Sequence, residues 1–129
     1  MIVLAVDHGA ARAGLAISDP SGTLARPLEV AEPPDPEAVA AIARANGAEL
    51  VVVGLPVSLD GTEREQAARA REFAVALAAA IDVPVETYDE RLTTRLADAS
   101  ARAGARAPAD ALAAAHLLES YLEAGKGAR

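Results

Sequence analysis

The stretch "MIVLAVDHGAARAGLAISDP" (residues 1–20) decides the fold, because it places two apolar runs on either side of a short turn. Residues 2–6 predict a buried strand and residues 14–18 predict a second one. The turn between them begins at Asp7, a carboxylate at the end of a buried strand. An unpaired buried carboxylate is costly. Asp7 therefore either shapes the turn with Gly9 or belongs to a site that handles phosphate or metal.

The rest of the chain predicts a mixed sheet flanked by helices. A turn signal at 19–22 and a third strand at 24–30 complete an antiparallel meander. Helices and strands then alternate: a helix over 37–47, a strand over 49–56, a helix of about five turns that ends near Ile81, a strand over 83–89, and helices over 91–103 and 110–123. This order is typical of an α/β fold with a five-stranded sheet, and we expect residues 1–129 to form one domain.

Two local signals define helix ends in this prediction. Gly47 stands directly after the first helix, the usual place for a glycine beyond a helix C-terminus. Thr62 and Glu65 have the T-x-x-E spacing of a capping box, which predicts that the second helix begins at Thr62.

The composition excludes several classes of protein. With 52% hydrophobic residues among 129, the chain is not of the disordered class. It has no cysteine, which excludes disulfides and thiolate metal sites, so a metal would need oxygen or imidazole ligands and would be Mg²⁺ or Mn²⁺. No apolar run reaches the ~20 residues of a membrane span. We therefore expect a cytoplasmic protein with no membrane partner.

The charge argues against tight binding of nucleic acid. The net charge is −7, whereas affinity for phosphate backbones usually comes from a basic surface. Eleven of the twelve basic residues are arginines, and Lys126 is the one lysine. Arginine suits bidentate phosphate contacts better than lysine does.

Three acids stand where elements of such a sheet end or begin. Asp7 follows the first strand, Glu90 follows the last strand, and Asp110 begins the last helix. If the first strand lies centrally, the three converge, and carboxylates around one or two Mg²⁺ ions are a known arrangement for phosphodiester hydrolysis. The alternative for each is structural: a turn at Asp7, and favourable helix N-termini at Glu90 and Asp110.

Four stretches together resemble the YqgF family, also called RuvX, whose members are RNase H-like nucleases of pre-16S ribosomal RNA, earlier described as Holliday junction resolvase-like. They are "DHGAARAGLAISD" (7–19), "VVVGLPVSLDGTE" (51–63), "YDERLTT" (88–94) and "DALAAAHLLESYL" (110–122). The resemblance covers nearly the whole chain. It implies an RNase H-like fold and a metal-dependent nuclease that matures the 5′ end of pre-16S ribosomal RNA.

The resemblance also implies roles for individual residues. Asp7, Glu90 and Asp110 would be the catalytic acids and the ligands of Mg²⁺ or Mn²⁺. Arg12, Arg91 and Arg95 are candidate phosphate contacts, with a solvated surface role as the alternative for each. The expected partner is structured RNA such as pre-rRNA, with branched DNA as the other candidate, and the protein would be a monomer or a homodimer.

The sequence departs from the family pattern in its cations. Ala11 stands where a basic residue is common, and the loop over 104–109 lacks the lysines that usually precede the last aspartate. A non-catalytic module that binds RNA or protein is therefore the main alternative. A nucleotide phosphotransferase is a weaker one, since the actin-like kinases need a second domain and a Gly-Gly segment that this chain lacks.

Overall fold

The computed structural model describes residues 1–56, 64–92 and 108–127. Their strands and helices, in chain order, are β1 (Val3–His8), β2 (Ala13–Ser18), β3 (Ala25–Ala31), α1 (Pro36–Ala45), β4 (Leu50–Leu55), α2 (Glu65–Ala80), β5 (Val85–Asp89) and α3 (Ala109–Gly127), with a 3₁₀ turn at Glu90–Leu92 between the last two.

The five strands form one sheet in the order β3-β2-β1-β4-β5, so β1 lies in the middle. β1 pairs antiparallel with β2, and β2 antiparallel with β3. β1 pairs parallel with β4, and β4 parallel with β5. The predicted mixed sheet, an antiparallel meander extended by parallel strands, is confirmed, and so is the central position of the first strand.

Alternation along β1 divides the core into two layers. Leu4 and Val6 pack with residues of α1 and α2 on one face, whereas Val3 and Ala5 pack against α3 on the other. All six residues of β4 are buried, as its continuous apolar run predicts for a strand covered on both faces. By the same alternation, Asp7 points to the α3 face and His8 to the α2 face.

Both ends of α1 are capped, and the glycine beyond its carboxyl end agrees with the sequence prediction. The side chain of Asp35 caps the helix by accepting a hydrogen bond from the main-chain N–H of Ala38, at 3.3 Å. At the other end Gly47 has φ +71°, and the main-chain N–H of Ala48 donates to the carbonyl of Ala43 at 3.0 Å. This is a Schellman motif, which explains why a glycine is needed beyond the last turn.

The predicted capping box of α2 is wrong. The helix begins at Glu65, and its N-cap is Arg64, whose side chain makes no capping hydrogen bond. Glu65 is thus the first helical residue, two positions before the third helical position that the box requires for its glutamate. Thr62, and all but the first two residues of the helix predicted over 91–103, lie outside the described residues. Within the described ranges, no helix combines the length and apolarity needed to cross a membrane.

Candidate active site

Asp7 lies near the carboxyl end of the central strand, on the face covered by α3. Its cross-strand partner on β2 is Gly14. On the other side, the parallel register that pairs Val6 with Val53 places Gly54 of β4 next to Asp7. The aspartate therefore stands between two strand positions that carry no side chain, which lets groups from other elements approach this face of the sheet.

Gly54 makes room for Glu90. A Cβ atom at position 54 would lie 2.7 Å from Oε2 of Glu90 and 2.9 Å from Cδ2 of Leu117. Glu90 itself follows β5 directly, in the 3₁₀ turn, so its side chain reaches back over β4 toward β1. The glycine thus allows an acid from the edge of the sheet to approach the acid on the central strand.

Gly14 makes room for Asp110 in a different way. A Cβ atom at position 14 would overlap the main-chain carbonyl of Asp110 and lie 3.0 Å from the main-chain nitrogen of Ala111. The first turn of α3 is therefore seated directly on the backbone of β2. This contact holds Asp110 beside the end of β1 and explains the glycine of the "GLAIS" run.

The charges of the three acids interact. Burial and the charge of Asp110 raise the pKa of Asp7, partly offset by a hydrogen bond with Glu90. Burial, then the charge of Asp7 and a hydrogen bond to it, raise the pKa of Glu90 to about 7. A protonated Glu90 that donates to the Asp7 carboxylate accounts for both effects. One shared proton would relieve the repulsion between the two carboxylates.

Asp7 and Glu90 face a cavity of about 320 Å³, whose other lining residues are Ala113, His116 and Leu117 of α3. Ala114 and Leu117 of α3 are buried against the sheet, whereas the side chain of Asp110 is 45% exposed. His116 was not anticipated as a neighbour of the acids. It lies six residues beyond Asp110, and only the packing of α3 on the sheet turns it toward the cavity.

The donor set fits a hard divalent cation, since carboxylate oxygens are the ligands that Mg²⁺ and Mn²⁺ prefer. The raised pKa of Glu90 also marks a place where negative charge lacks a counter-charge. Among the residues that the structure describes, however, no three acids or histidines stand close enough together to hold one ion. Asp110 is instead 3.6 Å (Oδ2) from Nη1 of Arg12.

The three predicted phosphate contacts differ in position. Arg12 lies in the β1–β2 turn beside Asp110 and also pairs with Glu32. Arg91 is held by Asp89, with Nη2 at 2.6 Å from Oδ2, and its main-chain N–H donates to Oδ1 of Asp89. Asp89 thus has the capping role that its position before a helical turn suggests. Arg95 lies outside the described residues.

His8 lies on the opposite face of the sheet from the acids. Its ring packs against Phe73 of α2 with centroids 4.8 Å apart. Burial and the charge of Arg69 lower its pKa, and its Nδ1 is buried without a hydrogen-bond partner among the described residues. The position favours a packing role.

Comparison with known proteins places these features in a family. The family model described as "RuvX: Holliday junction resolvase" matches residues 1–124. A protein of Thermobifida fusca (strain YX) named "Putative pre-16S rRNA nuclease" is 51% identical over 94 residues, which are 70% of this chain and 59% of that protein. Proteins of the same name from Kineococcus radiotolerans and Chloroflexus aggregans are 46% and 45% identical over 97 residues each. Those alignments cover 70% and 71% of this chain, and 52% and 68% of the relatives.

The matched part of the chain thus spans little more than half the length of the first two relatives. Among solved structures, Thermus thermophilus RuvC in complex with a Holliday junction substrate superposes with a TM-score of 0.65 at 21% identity, over 98% of this chain and 96% of that one. Fowlpox virus resolvase with Holliday junction DNA gives 0.60 at 12% identity, over 96% and 98%. These likenesses show the fold, which is RNase H-like as the sequence predicts.

Proposed function

This chain belongs to the RuvX family, and from that premise we propose that it is a divalent-cation-dependent nuclease that hydrolyses phosphodiester bonds in structured nucleic acid. The observation that carries the proposal is the pair formed by Asp7 and Glu90. They share a hydrogen bond beside an open cavity, with Asp110 near enough for its charge to raise the pKa of Asp7. Such an excess of acid is typical of a site that binds cations.

In this proposal Asp7, Glu90 and Asp110 hold Mg²⁺ or Mn²⁺. A bound divalent cation supplies Lewis acidity, which polarises a phosphate oxygen and activates water. Glu90 must give up its proton to act as a ligand, and its pKa of about 7 allows this near neutral pH. Asp110 must exchange Arg12 for the cation, which frees Nη1 of the guanidinium for a backbone phosphate while Nη2 still faces Glu32.

We propose pre-16S ribosomal RNA as the substrate, because the relatives are named for it. The 5′ end as the place of cleavage follows from the resemblance seen in the sequence. Recognition through the backbone of a folded RNA is favoured over stacking of bases. Both tyrosines are engaged within the protein, with Tyr88 bonded to Ser120 at 3.0 Å and Tyr121 donating to Glu86 at 2.7 Å. A branched DNA is the second substrate to test, since the family model carries the name of a resolvase. A role in ribosome maturation would agree with the predicted cytoplasmic location, which stays a prediction.

One observation favours the alternative of a binding module without catalysis. The two predicted phosphate contacts in the described residues, Arg12 and Arg91, are both paired with carboxylates. Ala11 adds no cation beside them. This arrangement weakens the hold on a phosphate backbone but leaves the acids in place.

The test is cleavage of labelled precursor ribosomal RNA, and of a four-way DNA junction, with Mn²⁺ or with EDTA. We expect cleavage that needs the cation, is lost in Asp7→Asn and survives in Asp82→Asn. Asp82 is a matched control because it is an exposed aspartate before the amino end of β5, whereas Glu90 follows the carboxyl end of that strand. Cleavage that persists in Asp7→Asn would contradict the proposal. If the wild type binds these substrates without cleaving them, the alternative of a binding module without catalysis is favoured.

A further inference from the structure

Arg12 connects the candidate active site to an acid outside it. Its guanidinium places Nη1 3.6 Å from Oδ2 of Asp110 and Nη2 3.4 Å from Oε2 of Glu32. The turn that carries Arg12 is closed by a hydrogen bond from the main-chain N–H of Gly9 to its carbonyl, at 2.9 Å. One arginine thus joins a proposed cation ligand to a carboxylate that does not line the cavity.

Glu32 is brought to Arg12 by the register of the meander. Ala31, the last residue of β3, pairs with Ala13, the first residue of β2, so the residues just outside that pair are neighbours. The Glu32 side chain is 62% exposed and that of Arg12 is 48% exposed. Glu32 is therefore not a core residue. Its contact with Arg12 is open to competition from solvent and from ligands.

We propose that Glu32 is a specificity-determining residue that competes with a backbone phosphate of nucleic acid for Arg12. The inference rests on the function proposed above and deepens it. Carboxylates and phosphates bind the same planar fork of guanidinium donors, so one must leave before the other binds bidentately. Glu32 lowers the affinity of Arg12 for isolated phosphates and so favours substrates that offer several backbone contacts at once.

The size of the effect follows from the exposure of the pair. Exposed ion pairs contribute little, so removal of Glu32 is expected to tighten binding about two- to fivefold, and less at high salt. A long-range effect of lost negative charge would act similarly from any nearby exposed acid. Glu29 provides that comparison, because it is an exposed glutamate on β3, three residues before Glu32.

The experiment measures the Kd of a fluorescently labelled RNA hairpin by anisotropy, in Ca²⁺ buffer, for Glu32→Gln, Glu29→Gln, Arg12→Ala and the double variant Arg12→Ala/Glu32→Gln. We expect Glu32→Gln to bind more tightly than both the wild type and Glu29→Gln. The double variant should bind like Arg12→Ala, since competition needs the arginine. Melting temperatures of the variants verify that each is folded.

Two results would overturn the inference alone: equal binding by Glu32→Gln and Glu29→Gln, or tightening by Glu32→Gln that persists without Arg12. In both, the wild type binds RNA and the proposed function stands. If the wild type and every variant fail to bind nucleic acid, the inference and the proposed function fall together.

Discussion

Gly54 lies directly beneath Glu90, so close that a methyl group at position 54 would stand 2.7 Å from the Glu90 carboxylate. The atoms in the way belong to flexible side chains, those of Glu90 and Leu117. They can move aside, but Glu90 then loses the position in which it shares a hydrogen bond with Asp7. The glycine is thus a condition for the pairing of these two acids.

Gly54→Ala is expected to reduce stability only moderately, by about 1 kcal/mol, the low end of the cost of overpacking. Mn²⁺ binding and cleavage should be weakened by more than the small loss of stability would cause, because Glu90 is displaced from Asp7. Urea denaturation and calorimetric titration with Mn²⁺ measure the two effects. Gly125→Ala adds the same methyl group on α3 where no atom lies within 4 Å, and it should stabilise the helix by about 0.5–1 kcal/mol. Unchanged Mn²⁺ affinity in Gly54→Ala would contradict the role of this glycine.

Gly14→Ala should be far more damaging. The obstacle there is the main chain of Asp110 and Ala111, which cannot rotate away as a side chain can. We expect a loss of about 3 kcal/mol, the upper end for overpacking, with α3 lifted from β2. Hydrogen exchange of the α3 amides checks this. Faster exchange of the α3 amides than of the α1 amides in the variant would support the prediction. A free energy of unfolding equal to that of the wild type would contradict it.

The Glu90 carboxyl makes stability depend on pH in the cation-free protein. Its pKa rises from 4.5 to about 7 on folding, so between these values the folded state binds more protons than the unfolded state. The stabilising contribution is therefore complete below pH 4.5 and is lost as the pH rises through 7. Because the Glu90 carboxyl is partly exposed, we expect the free energy of unfolding to decrease by about 1 kcal/mol over this pH range. Urea denaturation in EDTA at several pH values measures it.

Glu90→Gln should flatten this pH dependence, because the amide keeps a donor for Asp7 but does not titrate. Glu29→Gln, at an exposed position of β3, should keep the wild-type profile. A full wild-type slope in Glu90→Gln would assign the effect to other groups.

A divalent cation should stabilise the folded chain through the acids. At a concentration about 100 times its Kd, a ligand specific for the folded state adds about 2.7 kcal/mol. We expect Mg²⁺ or Mn²⁺ to raise the melting temperature of the wild type and of Asp82→Asn, and to raise that of Asp7→Asn clearly less. Equal shifts in the wild type and Asp7→Asn would mean that the cation binds elsewhere.

Sequence patterns predicted the sheet well because each strand has an unambiguous local signal. The run around Val52 is apolar throughout, which marks a strand buried on both faces. The order of β1, β2 and β3 follows from the short connections between them, whereas the pairing of β4 with β1 needed the structure. The capping box failed because Thr62 and Glu65 have the right spacing, yet helix boundaries depend on tertiary contacts that a four-residue pattern does not contain.

The candidate site was only partly accessible from sequence. The position of Asp7 at a strand end and the family motifs identified the acids, but the reasons for Gly14 and Gly54 needed the packing of α3 and the 3₁₀ turn. The contact between Arg12 and Glu32 arises from the register of β2 and β3, which the sequence does not specify to the residue. His116 entered the cavity lining for a similar reason, the rotation of α3 on the sheet.

Under the proposed function, the seating of α3 on Gly14 makes activity depend on complete folding. Asp7 and Asp110 stand more than 100 residues apart along the chain and meet only through this docked helix. A copy in which α3 is detached brings together only Asp7 and Glu90 of the three acids. Under the proposed function such a copy is inert toward the RNA around it. Only copies in which α3 has docked on the sheet would then cleave RNA.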